Sequence, residues 1–158
     1  MTTSVALETT LSVRDTCLCL HTQRAARALA RRFDEVLRPV GLTNGQFSLL
    51  NALNGAEPAP MSQVAATLGA DRTTLTAALK PLVREALAQI SIDPADHRAR
   101  RVALTTTGQA RLAAALPLWA AAHAALETEL ADPDRARLDL LTLSAPRPGV
   151  PAAPLCDA

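Results

Sequence analysis

Residues 61–105 constrain this chain more than any other stretch; they read MSQVAATLGADRTTLTAALKPLVREALAQISIDPADHRARRVALT. Ser62 can cap a short apolar helix, and Gly69 can end it in a left-handed turn. Asp71 or its neighbour starts a longer helix to about Glu85, with Leu75, Leu79 and Leu82 on its inner face. Ala65, one turn before the glycine, is small enough to let the two helices pack closely. Pro81 removes one backbone hydrogen bond from the second helix and is expected to bend it. Residues 88–92 and 101–104 then alternate or run apolar, and they flank a charged tip at 93–98. That is a hairpin signal. Two short helices about a glycine turn, followed by a hairpin, define a winged helix-turn-helix.

The remainder reads as a helical support. A long helix is expected from about Ser12 to Leu37, with Leu18, Thr22, Ala25, Leu29, Phe33 and Val36 as one buried stripe. Pro39 and Gly41 stop it. Thr43 can cap a second helix carrying Phe47, Leu50 and Leu53 inward. Asn54, Gly55, Pro58 and Pro60 mark a loop. Thr105 can cap an Ala-rich helix from Thr106 to about Leu130, kinked at Pro117. Asp132-Pro133 opens a last helix ending near Leu143. The expected fold is therefore mainly α with a small β-wing: a winged helix-turn-helix domain, about 43–105, on a helical dimerisation platform, about 12–38 and 106–143. Residues 1–11 are expected to be a flexible N-terminus, and the Pro-rich 144–158 a disordered tail.

Composition sets outer limits. A chain of 158 residues is long enough for one domain with a full core. The formal charge of +1 does not by itself announce a polyanionic partner. Placement matters more: Arg24, Arg27, Arg31, Arg32 and Arg38 lie on the first helix, and Arg98, Arg100 and Arg101 crowd the hairpin. No long apolar run implies a membrane span, and the N-terminus lacks the pattern of a secretory signal. A cytoplasmic location is expected. Cys17, Cys19 and Cys156 are an odd set in a reducing compartment, so no structural disulfide framework is expected.

In a helix-turn-helix the first helix braces the second, which enters the major groove of DNA. Ser62 and Gln63 on the bracing helix, and Arg72, Thr73, Thr74, Thr76 and Lys80 on the second, can donate and accept at phosphates and base edges. The helix N-terminus adds its own attraction for phosphate. Arg98 at the hairpin tip can enter a narrow minor groove, with Arg100 beside it. Asp96 is expected to organise the tip by pairing with an arginine side chain. A solvated helix start and a charged hairpin that blocks edge pairing would account for the same charges, but not for their place directly after a helix-turn-helix.

These elements resemble the MarR family of bacterial transcription regulators. The likeness rests on GLTNGQFSLLNAL at 41–53, SQVAATLGADRTTLTAALKPL at 62–82 and DPADHRARRVALTTTG at 93–108, and spans roughly 17–130. It implies a winged-helix homodimer built on the first, fifth and sixth helices, binding a pseudo-palindromic duplex and usually repressing. It also implies release by a small organic ligand or by oxidation of a cysteine. By that resemblance Arg98 is the minor-groove arginine and Asp96 its organiser. The chain departs from the family at Ala77, where a basic residue is common, at Ala86-Leu87, where Gly-Leu is usual, and at Pro81.

Cys19 falls where the hydroperoxide-sensing branch of the family keeps its reactive thiol, and Cys156 could resolve an oxidised Cys19. Phe33 and Phe47 stand where that branch has tyrosines, and they donate no hydrogen bond. Small core cysteines are the alternative. His21, Arg24 and Arg27 can face an organic anion or stay solvated. Cys17 and His21 are one turn apart, but a zinc site needs three or four ligands, so no metal and no cofactor are expected. No catalytic constellation is present, which leaves enzyme activity unexpected. A winged-helix interaction module that does not bind DNA remains the alternative class.

Overall fold

The computed structural model describes residues 5–145 of the chain. Helices α1 (Leu7–Thr16) and α2 (Leu18–Leu37) are followed by a 3-10 turn, Arg38–Val40, and α3 (Asn44–Leu53). A short strand β1 (Ala59–Pro60) leads into α4 (Met61–Leu68) and α5 (Arg72–Arg84). The wing strands are β2 (Ala88–Ile92) and β3 (Arg100–Leu104), and α6 (Thr106–Glu127) and α7 (Pro133–Ser144) complete the order. The chain divides into two units, 1–120 and 121–158. The second unit holds the end of α6 and all of α7. Within it Glu127 receives Arg137, and Asp132 caps α7 through the Arg135 amide at 2.9 Å.

The mainly helical winged-helix architecture expected from sequence is present. The expected first helix is in fact two. Helix begins at Leu7, upstream of Ser12, and is interrupted at Cys17, whose ψ of 107° is extended. The expected stripe is also corrected. Phe33 is buried and Val36 half-buried, whereas Leu18, Thr22, Ala25 and Leu29 are exposed. Periodicity marks a face that prefers burial; it does not say which molecule covers it.

The core centres on the winged helix and takes in the end of α2 and the start of α6. Leu37, Leu50, Leu75, Leu79, Leu82, Leu87 and Val102 are all within 1 % of complete burial. Local chemistry places their helices. Thr43 and Gln46 form a reciprocal capping box at the start of α3. Asp71 caps α5, and Thr105 accepts from the Gly108 amide at the start of α6. Ser62 does not cap α4 as expected. Pro60 holds that place, with extended ψ of 139°, because it is already paired in a strand, and Ser62 falls inside the helix.

The strand β1 lies where a loop was expected. The sheet order is β1-β3-β2, antiparallel throughout, with Pro60 opposite Arg101 on one side and Ser91 opposite Arg101 on the other. Proline on an edge strand leaves no ladder donor for a further strand to use. The expected tail, 144–158, lies outside the described residues beyond Ala145, and Cys156 with it.

Candidate nucleic-acid interface

Helix α5 begins with a strong cap. Asp71 accepts from the Thr74 amide at 2.7 Å and from the Thr74 hydroxyl at 3.1 Å. Those hydrogen bonds, the amide first, hold the Asp71 carboxyl below the usual range. The carboxylate therefore stays ionised beside the arginine that follows it. Thr76 donates its hydroxyl to the Arg72 carbonyl at 2.7 Å, leaving its lone pairs to accept. Thr74 and Thr76 are thus partly committed to the helix. The side chains of Ser62, Gln63, Arg72, Thr73, Lys80 and Arg98 make no intramolecular hydrogen bond or ion pair among the described residues, and all six are exposed.

A groove of about 630 Å³ runs between α4, the start of α5 and the wing. Ser62, Arg72, Thr76, Asp96, Arg98 and Arg100 line it, with Ile90 as an apolar wall. Six sequence-predicted residues from three elements therefore converge. Gln63, Thr73, Thr74 and Lys80 are exposed on the same two helices but do not line the groove.

The tip of the wing departs from expectation. Asp96 pairs with no arginine side chain; it accepts from the Arg98 amide at 2.9 Å, an Asx turn that fixes the tip's backbone. Arg100 turns back, donating to the carbonyls of His97 and Ala99, each at 3.0 Å. Arg98 alone of the two points its guanidinium at no protein acceptor. The pairing expected of Asp96 occurs instead at Asp93, where Arg101 Nε donates to the carboxylate at 2.7 Å. Sequence reading passed over Asp93. Its signal was available: an acid and a base flank the tip at the two ends of a hairpin.

Two further concavities lie within the first unit. Asn44, Phe47, Ser48, Asn51, Leu68 and Trp119 bound one of about 440 Å³, where Phe47 stacks on Trp119 with ring centroids 5.9 Å apart. His21, Arg24, Arg27 and Arg31 bound another, of about 570 Å³, along α2. Cys19 is exposed and Cys17 half-buried, and both are free thiols. No helix among the described residues is long and apolar enough to cross a membrane.

Residues 40–99 match the MarR family. The transcriptional regulator MosR of M. tuberculosis, solved in complex with DNA, is 40% identical, with a TM-score of 0.76, over 81% of this chain and 93% of that one. The chain belongs to the MarR family. The transcriptional repressor CouR, solved on a 23-mer DNA duplex, is 30% identical at a TM-score of 0.68, covering 90% of this chain and 97% of its own. CouR from Rhodococcus jostii RHA1, solved with p-coumaroyl-CoA, is 24% identical at a TM-score of 0.71, covering 84% and 95%, and shows the fold. No curated protein matches the sequence. The MarR match spans α4, α5 and the tip of the wing, so every groove-lining residue named above except Arg100 falls within it.

Proposed function

We propose that this MarR-family protein is a homodimeric, sequence-specific DNA-binding transcriptional regulator, acting in the cytoplasm as a repressor and released by a small organic effector. The convergence of Arg72 and Thr76 with Arg98 on one groove carries the reading. The α5 start enters the major groove, and Arg98 on the wing enters the adjacent minor groove, where the potential is most negative. Ser62 and Gln63 brace the backbone from α4, with Thr73, Thr74 and Lys80 along the reader and Arg100 and Asp96 supporting the tip. The MosR and CouR structures on DNA support this assignment. The exposed Leu7, Leu11, Leu18 and Leu29 support a second copy as the cover for α1 and α2. Two copies present two readers, which suits a pseudo-palindromic duplex. The stacked Phe47 and Trp119 offer an aromatic effector a flat apolar wall, ringed by neutral amides and hydroxyls.

Fluorescence anisotropy on a duplex from directly upstream of the protein's own coding sequence tests the reading. Wild type binds in a salt-dependent way, and Arg98→Ala weakens binding about tenfold or more while leaving the dimer intact. Equal affinity of the two proteins would remove the wing from recognition. A second reading, thiol-based hydroperoxide sensing, is favoured by the exposed Cys19 next to the break between α1 and α2. Under it, organic hydroperoxide abolishes wild-type binding and spares Cys19→Ser. Loss of binding in both proteins would exclude Cys19.

A further inference from the structure

Asp93 is the one charged side chain buried among the described residues, at 8% exposure. Its two oxygens do separate jobs. One accepts from the Ala95 amide at 2.9 Å and turns the chain into the tip. The other accepts from Arg101 Nε at 2.7 Å across the base of the hairpin. Arg101 then uses a second nitrogen to donate to the Pro58 carbonyl at 2.8 Å. These bonds, the Ala95 amide first and the guanidinium second, hold the Asp93 carboxyl below its ordinary range.

The three residues form a staple. Arg101 sits on the central strand, paired with Pro60 on β1 and Ser91 on β2. Its fork ties the root of the wing to the segment that leads into α4. A two-stranded hairpin is marginally stable by itself and is free to splay. The Asp93 amide donates to the Ala99 carbonyl at 3.2 Å to close the tip, and the Arg98 side chain hangs just inside that closure with no hydrogen bond or ion pair of its own. The carboxylate–guanidinium pair is what the tip has in place of a core.

We propose that Asp93 and Arg101 are positioning residues for DNA binding: the staple holds the wing at a fixed angle to α4 and α5, so that Arg98 is presented to the minor groove before the duplex arrives. The inference rests on the DNA-binding reading above. Neither residue touches DNA in this scheme. Their effect runs through Arg98 and consists of ordering that is complete before association.

Three features separate this from a role in charge or in folding. Asp93→Asn removes a negative charge from a surface that meets a polyanion, so electrostatics alone would tighten binding. Positioning demands the opposite sign. Arg101→Lys keeps the charge and loses the fork, because an ammonium cannot hold both acceptors in one plane. It should behave like Asp93→Asn. Finally, a positioning residue is coupled to the group that it positions.

The experiment is a double-mutant cycle with the full-length protein on the same upstream duplex, at fixed salt. Asp93→Asn and Arg101→Lys each weaken wild-type binding by about tenfold, and each weakens the Arg98→Ala protein by about twofold or less. Thermal melting is run beside it, so that a variant that fails to fold is replaced by the other. A tenfold loss that persists in the Arg98→Ala background overturns the proposal, as does unchanged or tighter binding of Asp93→Asn. A wild-type protein that binds no duplex defeats the DNA reading itself, and that outcome is seen before any substitution is made.

Discussion

Replacing Ala86 by glycine should stabilise this protein. Three helical segments end in the same way, each with the chain passing through a left-handed residue. Gly41, at φ 67°, closes the 3-10 turn after α2, and Gly69, at φ 61°, closes α4. Ala86, at φ 54°, closes α5 and is the only non-glycine with positive φ among the described residues. At each site the turning residue and its successor donate back into the last turn. For α5 these bonds are Ala86 N–H to Val83 at 3.0 Å and Leu87 N–H to Leu82 at 2.8 Å. This is the Schellman arrangement, in which glycine is favoured because a Cβ meets its own carbonyl in the left-handed region.

The cost of the alanine there is about 1–2 kcal/mol. Glycine returns about 0.5–1 kcal/mol of that through its freer unfolded chain. The Ala86 methyl is exposed, so little packing is lost, and the bond from the Thr105 hydroxyl at 2.6 Å goes to the Ala86 carbonyl, which glycine keeps. The net gain is about 0.5–1 kcal/mol, or about 1–4 °C in melting temperature for a chain of this size. Paired thermal and urea unfolding measures it. Ala78→Gly, on the exposed face within α5, is the control, and there the same substitution costs about 1 kcal/mol. A fall in stability for Ala86→Gly, matching the control in sign, would refute the argument.

Gly108→Ala should destabilise by about 1–3 kcal/mol, because its Cβ would lie 1.9 Å from the Leu87 carbonyl oxygen; unchanged denaturant midpoints would count against the packing described. The Asp71 and Asp93 carboxyls both have pKa values held below the ordinary carboxylate range in the folded state, Asp71 first by the Thr74 amide and Asp93 first by the Ala95 amide. Their stabilisation is complete above the unfolded value of about 4 and is lost as pH falls through the lower folded values, so wild type should show a steeper acid loss of stability than Asp71→Asn or Asp93→Asn below about pH 4. Leu18, 66% exposed, should lie in the interface between copies. Leu18→Asp should raise the dimer dissociation constant roughly a hundredfold in sedimentation, since a two-fold interface counts each change twice.

Legibility in the sequence followed the range of the forces involved. The caps at Thr43, Asp71, Thr105 and Asp132 are contacts within a few residues, and the hydroxyl or carboxylate types announce them. Gly69 and the leucine spacing of α5 were legible for the same reason. The strand β1 was not, because Pro58 and Pro60 read as a loop and their partner β3 lies some forty residues away, as the Arg101 to Pro58 bond does. The break at Cys17 carries neither glycine nor proline to mark it. Within the interface, the groove's residues were legible one at a time, but the division of labour was not. That Arg100 turns back to His97 while Arg101 secures Asp93 depends on which face of β3 each side chain takes, a two-residue alternation that the crowded Arg98-Ala99-Arg100-Arg101 run conceals.

In the proposed homodimer, the uneven burial of α2 would make helicity a property of concentration. Only Phe33 and Leu37, in its final turns, are buried, and α1 has no buried residue at all. An isolated helix as short as α1, 10 residues, is marginal in water, and the opening turns of α2 have no buried residue to anchor them. Diluted until copies separate, the chain would keep its reader and wing, whose core is internal, while α1 and the opening turns of α2 frayed. Circular dichroism would then report protein concentration as well as temperature. An agent that parts the copies would act as a partial denaturant of one end of the molecule.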